Sequence, residues 1–324
     1  MMTRTGKIKL FIGAMLILGP TISSSNEPGV VSLESSVGQT SDNLLLRTNR
    51  LSISNNRRSF VYPYENAEQT AWDFGIARSQ SAGTAASLHF DHTLTEAWLG
   101  KKYLDQFYLK VLLGRDELES MESDSFTKYL AQAEYKASDF YAQVSYGHRS
   151  TVYDFRYPKA LESYLKSHLF EVVGLWMPSK FRIKLFTRQE SLSDDNDAGY
   201  RDLDVKYNLS SSGYWLLAGA GVEHYQNSKQ VIGYWTPETF ISYGPRFEAS
   251  GPLFGNFNFN LALNLNRFED ENQDHGEGYY LNVALQSSDR NKNHFKVGYE
   301  KIQSTQRSDI WTLSRPYFSY NHFW

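Results

Sequence analysis

The residues best equipped for chemistry in this 324-residue chain are amides and aromatics spaced two apart. Asn256, Asn258, Asn260, Asn264 and Asn266 take every second position of one segment, interrupted by Ala262. Tyr280, Asn282 and Gln286 repeat the spacing further on. A primary amide offers two N–H donors and a carbonyl acceptor without net charge. A row of them can exchange hydrogen bonds with the hydroxyls of a neutral glycan, while rings such as Tyr108, Tyr141 and Tyr280 offer flat faces for sugars to stack on. The same lining would also serve any water-filled pore, whatever passes through it.

Catalytic chemistry has weaker support. His89, Asp91 and His92 form the densest cluster of bases or ligands, in His-Phe-Asp-His. In an extended segment His89 and Asp91 share a face and His92 points away, a poor arrangement for a metal. His148, His168, His224, His275, His294 and His322 are scattered, and no serine stands in a recognisable nucleophile motif. The expectation is a protein that is not an enzyme, with no catalytic residue, metal site or cofactor. A rim-active hydrolase of the lipase or protease type is a competing expectation, and it requires His89, His92 or His148 beside an exposed Ser or Asp.

The spacing of the amides dictates the element that carries them. Side chains alternate across a β-strand, so the Asn row leaves Phe257, Phe259, Leu261, Leu263 and Leu265 on the opposite face. About ten alternating residues is the span of a tilted transmembrane strand. The pattern recurs. Trp72, Phe74 and Ile76 alternate with Asp73 and Gly75, and Phe107, Leu109, Val111 and Leu113 with Tyr108 and Lys110. Further alternating runs cover 128–136, 140–147, 181–188, 202–209, 279–286 and 295–300, with weaker ones at 30–38, 45–54, 84–92, 169–176, 213–224, 238–249 and 310–323. The fold class read from this is all-β: a transmembrane up-and-down antiparallel β-barrel of roughly 16 strands, with 14 as the alternative and a soluble β-sandwich as the competing fold. Polar breaks at 114–126, 150–166, 189–199, 225–236 and 268–278 are expected as long extracellular loops. Those at 137–139, 178–180, 210–213 and 289–293 are expected as short periplasmic turns.

Bulk properties agree with that class. Residues 1–25 combine Arg4, Lys7 and Lys9, an apolar run from Leu10 to Leu18, then Gly19-Pro20 and Ser23–Ser25, the order of a secretory signal peptide. Residues 26–324 are then the barrel. Mean hydropathy is -0.50, as expected when only alternate residues meet lipid. Aromatics make up 15% of the chain, enough for girdles at both interfaces. There is no cysteine, hence no disulfide framework, and a formal charge of -3 gives no electrostatic support for nucleic acid as a partner. The chain closes on Tyr317-Phe318-Ser319-Tyr320-Asn321-His322-Phe323-Trp324. Its terminal aromatic, with Phe318 and Tyr320 on the same face, resembles the signal read by the barrel-insertion machinery; His322 and Pro316 depart from that pattern.

One segment carries a more specific likeness. Gly233-Tyr234-Trp235-Thr236-Pro237, continuing through Glu238 to Pro245, resembles a motif in the C-terminal barrels of exopolysaccharide-export proteins, such as the outer-membrane barrel of the cellulose synthase system. In that family the motif leads from a loop into a strand, and a Gly-punctuated strand follows; here Ser250-Gly251-Pro252-Leu253-Phe254-Gly255 precedes the Asn-rich segment. The resemblance implies a sixteen-stranded pore passing a growing polysaccharide across the outer membrane of a Gram-negative bacterium. Family members carry tetratricopeptide repeats before the barrel, and none is read in this sequence. The expected partners are therefore outer-membrane lipid, the insertion machinery, a polysaccharide and a separate periplasmic scaffold protein. A general or nutrient-uptake porin, constricted by an inward-folded 150–166 segment, is the alternative.

Overall fold

A computed structural model describes residues 29–41, 44–55, 72–85, 88–104, 106–119, 123–150, 165–210, 213–231, 236–272, 274–287, 293–306 and 309–323. The signal-peptide reading at 1–25, most of the 150–166 segment, Gly233-Tyr234-Trp235 and Trp324 lie outside the described residues.

Sixteen strands follow one another: β1 (Val30–Thr40), β2 (Leu44–Ser54), β3 (Trp72–Ala85), β4 (Leu88–Tyr103), β5 (Phe107–Glu119), β6 (Ser123–Lys136), β7 (Phe140–Ser150) and β8 (Lys166–Trp176) make up the first half. The second half is β9 (Phe181–Leu192), β10 (Asp197–Asn208), β11 (Trp215–Asn227), β12 (Thr239–Phe254), β13 (Phe257–Asp270), β14 (His275–Ser287), β15 (Asn293–Gln306) and β16 (Asp309–Phe323). Each pairs antiparallel with its sequence neighbours, and β1 pairs with β16, so the sheet is a closed barrel with no edge. The sixteen-strand expectation holds, and the fourteen-strand alternative and the sandwich fall away.

The two faces separate as the alternation requires. Along β5, Phe107, Leu109, Val111 and Leu113 are 46%, 49%, 52% and 58% exposed, while Tyr108 is buried inside. Leu185, Leu203, Val205, Val222, Phe247, Leu265, Val283 and Val297 continue this outward apolar band around the barrel. So continuous an apolar surface is unfavourable in water and suits hydrocarbon. At the end where β1 begins and β16 finishes, the band closes in rings. Phe107 lies 5.0 Å from Tyr135, Phe181 5.2 Å from Tyr207, and Phe257 5.3 Å from Phe254 and 5.4 Å from Phe295. The ammonium of Lys101 sits 4.7 Å over Trp72 and 4.9 Å over Tyr103 at the same rim.

Three connections at the end opposite Val30 and Phe323 are shorter than expected. The segment 114–126 is mostly strand, since β5 runs to Glu119 and β6 begins at Ser123. Likewise 189–199 contracts to the turn between Leu192 and Asp197, and 268–278 to that between Asp270 and His275. These strands run beyond the apolar band. There the outward face turns polar, as at Arg115 and Glu117, so the apolar/polar alternation ends while the hydrogen-bond ladder continues.

Gly255, with φ of +51°, makes the β12–β13 turn, a left-handed conformation that glycine adopts without steric penalty. Pro316 lies within β16, and pairing with β1 lapses opposite Val37 and Gly38 before resuming at Gln39 and Ser314. Proline has no N–H for the ladder.

Candidate functional site: the barrel lumen

The inward face encloses a cavity of about 810 Å³. Asn260 and Ala262 of β13, Tyr280, Asn282 and Gln286 of β14, and Tyr317 and Asn321 of β16 form one wall. Antiparallel register sets this wall: Asn260 stands opposite Ala284, Ala262 opposite Asn282, Asn264 opposite Tyr280 and Asn258 opposite Gln286. Tyr317 donates from its hydroxyl to Asn282 Oδ1 at 2.9 Å, tying the amide row to β16. Asn260 Nδ2 and Asn321 Oδ1 are buried at this wall with no hydrogen-bond partner among the described residues, a donor and an acceptor left for water or a ligand.

The expected lining residues divide into three groups. Asn260, Tyr280, Asn282 and Gln286 border the cavity together. Asn258, Asn264 and Asn266 lie on the same face of the strand at other heights. Three positions differ from the expectation. Asn256 is exposed in the Gly255-Asn256 turn, because the strand begins one residue later, at Phe257. Tyr108 and Tyr141 point inward but are buried, 4% and 3% exposed, and packed rather than open to a sugar. The Tyr108 hydroxyl donates to Asp73, and that of Tyr141 to Gln143 Oε1 at 2.7 Å. The aromatic faces that do reach the cavity include Tyr280, Trp215 and Tyr317.

Glycines set how flat those rings lie. A Cβ built on Gly298 would stand 2.3 Å from the Tyr317 ring, and one on Gly75 would stand 2.3 Å from the Trp98 ring. Each ring occupies the space a neighbouring side chain would have filled, so it lies along the wall instead of crossing the lumen.

Much of the rest of the inward face carries paired charges, and most of the pairs join different strands. Glu96 of β4 accepts from Arg50 of β2 at 2.6 Å and from Lys128 of β6 at 2.6 Å. Arg246 of β12 donates to Asp202 of β10 at 2.7 Å and to Glu223 of β11 at 2.9 Å, and its side chain is only 4% exposed. Gly221 makes room for it: a Cβ there would fall 2.2 Å from the guanidinium carbon. Arg182 and Lys206 converge on Glu248, Lys206 at 2.8 Å and also on Asp204. Glu171 accepts from Arg188 at 3.0 Å, Arg149 pairs with Glu190, and Arg315 with Glu300. Apart from Lys206 and Asp204, two apart on β10, the partners come from different strands, up to three apart, and the register of the closed sheet brings them together.

The histidines are dispersed over both faces of the barrel. His92 is buried with Asp116 at 2.5 Å, and Ser81 stands opposite it in the ladder, also buried. His89 and Asp91 share the opposite, outward face, as their spacing required. His148 stacks on His168 with ring centroids 4.4 Å apart. Among the described residues, no three metal-binding side chains cluster. Thr236 and Pro237, the described part of the Gly-Tyr-Trp-Thr-Pro segment, are tied down locally. Thr236 Oγ1 accepts from the Val231 amide at 2.8 Å, and the Pro237 carbonyl accepts from Asn227 Nδ2 at 2.8 Å.

Among solved structures, one described as a bacterial polysaccharide outer membrane secretin superposes with a TM-score of 0.73, at 11% identity, over 92% of this chain and 99% of its own. The fold is that of outer-membrane β-barrels. CdiB from Acinetobacter baumannii matches with a TM-score of 0.52 and 8% identity, over 91% of this chain and 60% of CdiB. Pseudomonas aeruginosa OpdK with vanillate reaches a TM-score of only 0.45 at 9% identity, over 92% of this chain and 99% of its own, too low to carry an argument. No protein-family model matches the chain, and no curated protein does. At these identities the likeness concerns fold alone.

Proposed function

We propose that this protein is a passive channel in the outer membrane of a Gram-negative bacterium, through which an exopolysaccharide leaves the cell. The observation that carries the reading is the lumen wall of Asn260, Asn282 and Gln286 beside the rings of Tyr280, Trp215 and Tyr317. Amides matched to hydroxyls, next to aromatic faces, are the chemistry a sugar chain uses. The Gly233–Pro245 resemblance to exopolysaccharide-export barrels points the same way. So does the fold shared with a protein described as a polysaccharide secretin.

In this reading no bond is made or broken by the protein. Synthesis on the inner side supplies the drive, while the barrel supplies a path whose polar groups replace the hydration of the moving sugars. Lipid surrounds the apolar band, the insertion machinery reads β16, and a separate periplasmic scaffold delivers the polymer. Purified protein in a planar bilayer tests the idea: an oligosaccharide added to one side should interrupt single-channel current in a concentration-dependent way. Current that flows undisturbed by any glycan would instead favour a general porin. Absence of current would remove the channel.

A further inference from the structure

We propose that the cargo is an uncharged glycan, and that the lumen excludes strongly anionic or cationic polymers. The inference rests on the export reading above and narrows its substrate class. Its ground is the way inward charges are arranged. Pores that select by charge line themselves with an excess of one sign, so that the field in a low-dielectric channel attracts the cargo and repels the opposite charge. Among the described residues this lumen is rich in charge and has no such excess. Glu96 lies between Arg50 and Lys128, Arg246 between Asp202 and Glu223, and Glu248 between Arg182 and Lys206.

The pattern persists at the cavity itself. Its charged border is Glu34, Arg50, Lys128, Glu248, Lys296, Glu300 and Arg315. Glu34 faces Arg50 across the β1–β2 ladder, Glu300 is bridged to Arg315, and the Lys296 ammonium sits 5.6 Å over the Tyr317 ring. A contact pair presents a dipole, whose field falls off faster than that of a single charge, so a carboxylated or amino polymer would find no line of counter-charges to replace its lost hydration. An uncharged chain has far less hydration to replace, and a wall of dipoles and amides can satisfy its hydroxyls.

Two measurements on the same reconstituted channel decide the matter. The first is the reversal potential in a KCl gradient, which needs no glycan. The expected potassium-to-chloride permeability ratio lies within about threefold of unity, whereas a pore with a ring of one charge is far more selective. A strongly selective channel would overturn the inference. The second compares block by a neutral glucan hexamer, an oligogalacturonate and a chitosan oligomer of equal length. The neutral oligomer should block at a concentration about tenfold lower than either charged one, equivalent to about 1.4 kcal/mol. Equal or stronger block by a charged oligomer would overturn the inference alone. Indifference to all three would overturn the polysaccharide reading and this inference with it. Glu248→Gln provides a positive control: it removes the carboxylate that Arg182 and Lys206 share and leaves Asp204 to face both, so the permeability ratio should shift toward chloride and block by the oligogalacturonate should strengthen.

Discussion

Replacing Arg246 by Met tests whether the lumen ion pairs hold the barrel together. The guanidinium bridges Asp202 at 2.7 Å and Glu223 at 2.9 Å, with Asp204 at 3.8 Å. The carboxylates of Asp202 and Asp204 are 9% and 6% exposed, so the variant leaves them largely shielded from water. Deleting one partner of a buried pair costs about 3–5 kcal/mol, because the remaining charge stays desolvated. Asp204 keeps Lys206, and Asp202 keeps Lys184 at 4.0 Å, which places Arg246→Met near the lower end of that range, about 3 kcal/mol. Equilibrium unfolding in urea with the barrel in lipid vesicles, followed by tryptophan fluorescence, reads this directly. Adding Asp202→Asn and Glu223→Gln to the Arg246→Met variant should recover most of the loss, since no buried charge is then stranded. A loss below about 1 kcal/mol, the value of an exposed pair, would refute the reasoning. So would failure of the triple variant to recover.

Other substitutions separate the remaining claims. Val111→Arg puts a charge on a residue 52% exposed in the apolar band, and should destabilise the barrel in lipid by about 2–4 kcal/mol. Arg115→Val, two positions beyond the band, should change stability by less than about 0.5 kcal/mol in the same vesicles. Gly298→Ala sets a Cβ 2.3 Å from the Tyr317 ring, so the ring must swing into the cavity. Lower single-channel conductance and a loss of about 1–3 kcal/mol are expected. Asn282→Ala should weaken block by a neutral oligosaccharide, whereas Asn256→Ala, in the turn, should leave the block unchanged.

Much of the barrel was legible because lipid imposes a rule on single residues. Each outward position in the band must be apolar and each inward one is free to be polar, so β9, β10, β13 and β14 could be read with correct faces. The rule lapses where the strands leave the band. Past Leu113, both faces of β5 carry polar groups, Arg115 and Glu117 outside with Asp116 inside, and a continuing strand looked like a loop. The amide wall was visible because its members are two apart on one strand. The ion-pair clusters were not, because Arg50, Glu96 and Lys128 become neighbours only through the register of β2 to β6. Tyr108 and Tyr141 show another limit. Spacing assigns a side chain to the lumen but not to its open space, and Asp73 and Gln143 hold these rings against the wall.

The gap at Pro316 bears on how the barrel comes into being. Fifteen of the sixteen strand pairings join consecutive strands, and only β1 with β16 joins the chain's distant ends. Meeting Val30 with Phe323 closes a loop of nearly the whole described chain, at an entropic cost about 3 kcal/mol above that of a hairpin. That last pairing also lapses, at Val37 and Gly38 opposite Pro316, as β12–β13 does at Gly244 and Pro245. The ring is therefore a curled sheet of local hairpins whose final joint is slow to find and incompletely fastened. Stitching that joint with a better partner than proline is the direct way to ask whether assembly, rather than transport, set this residue.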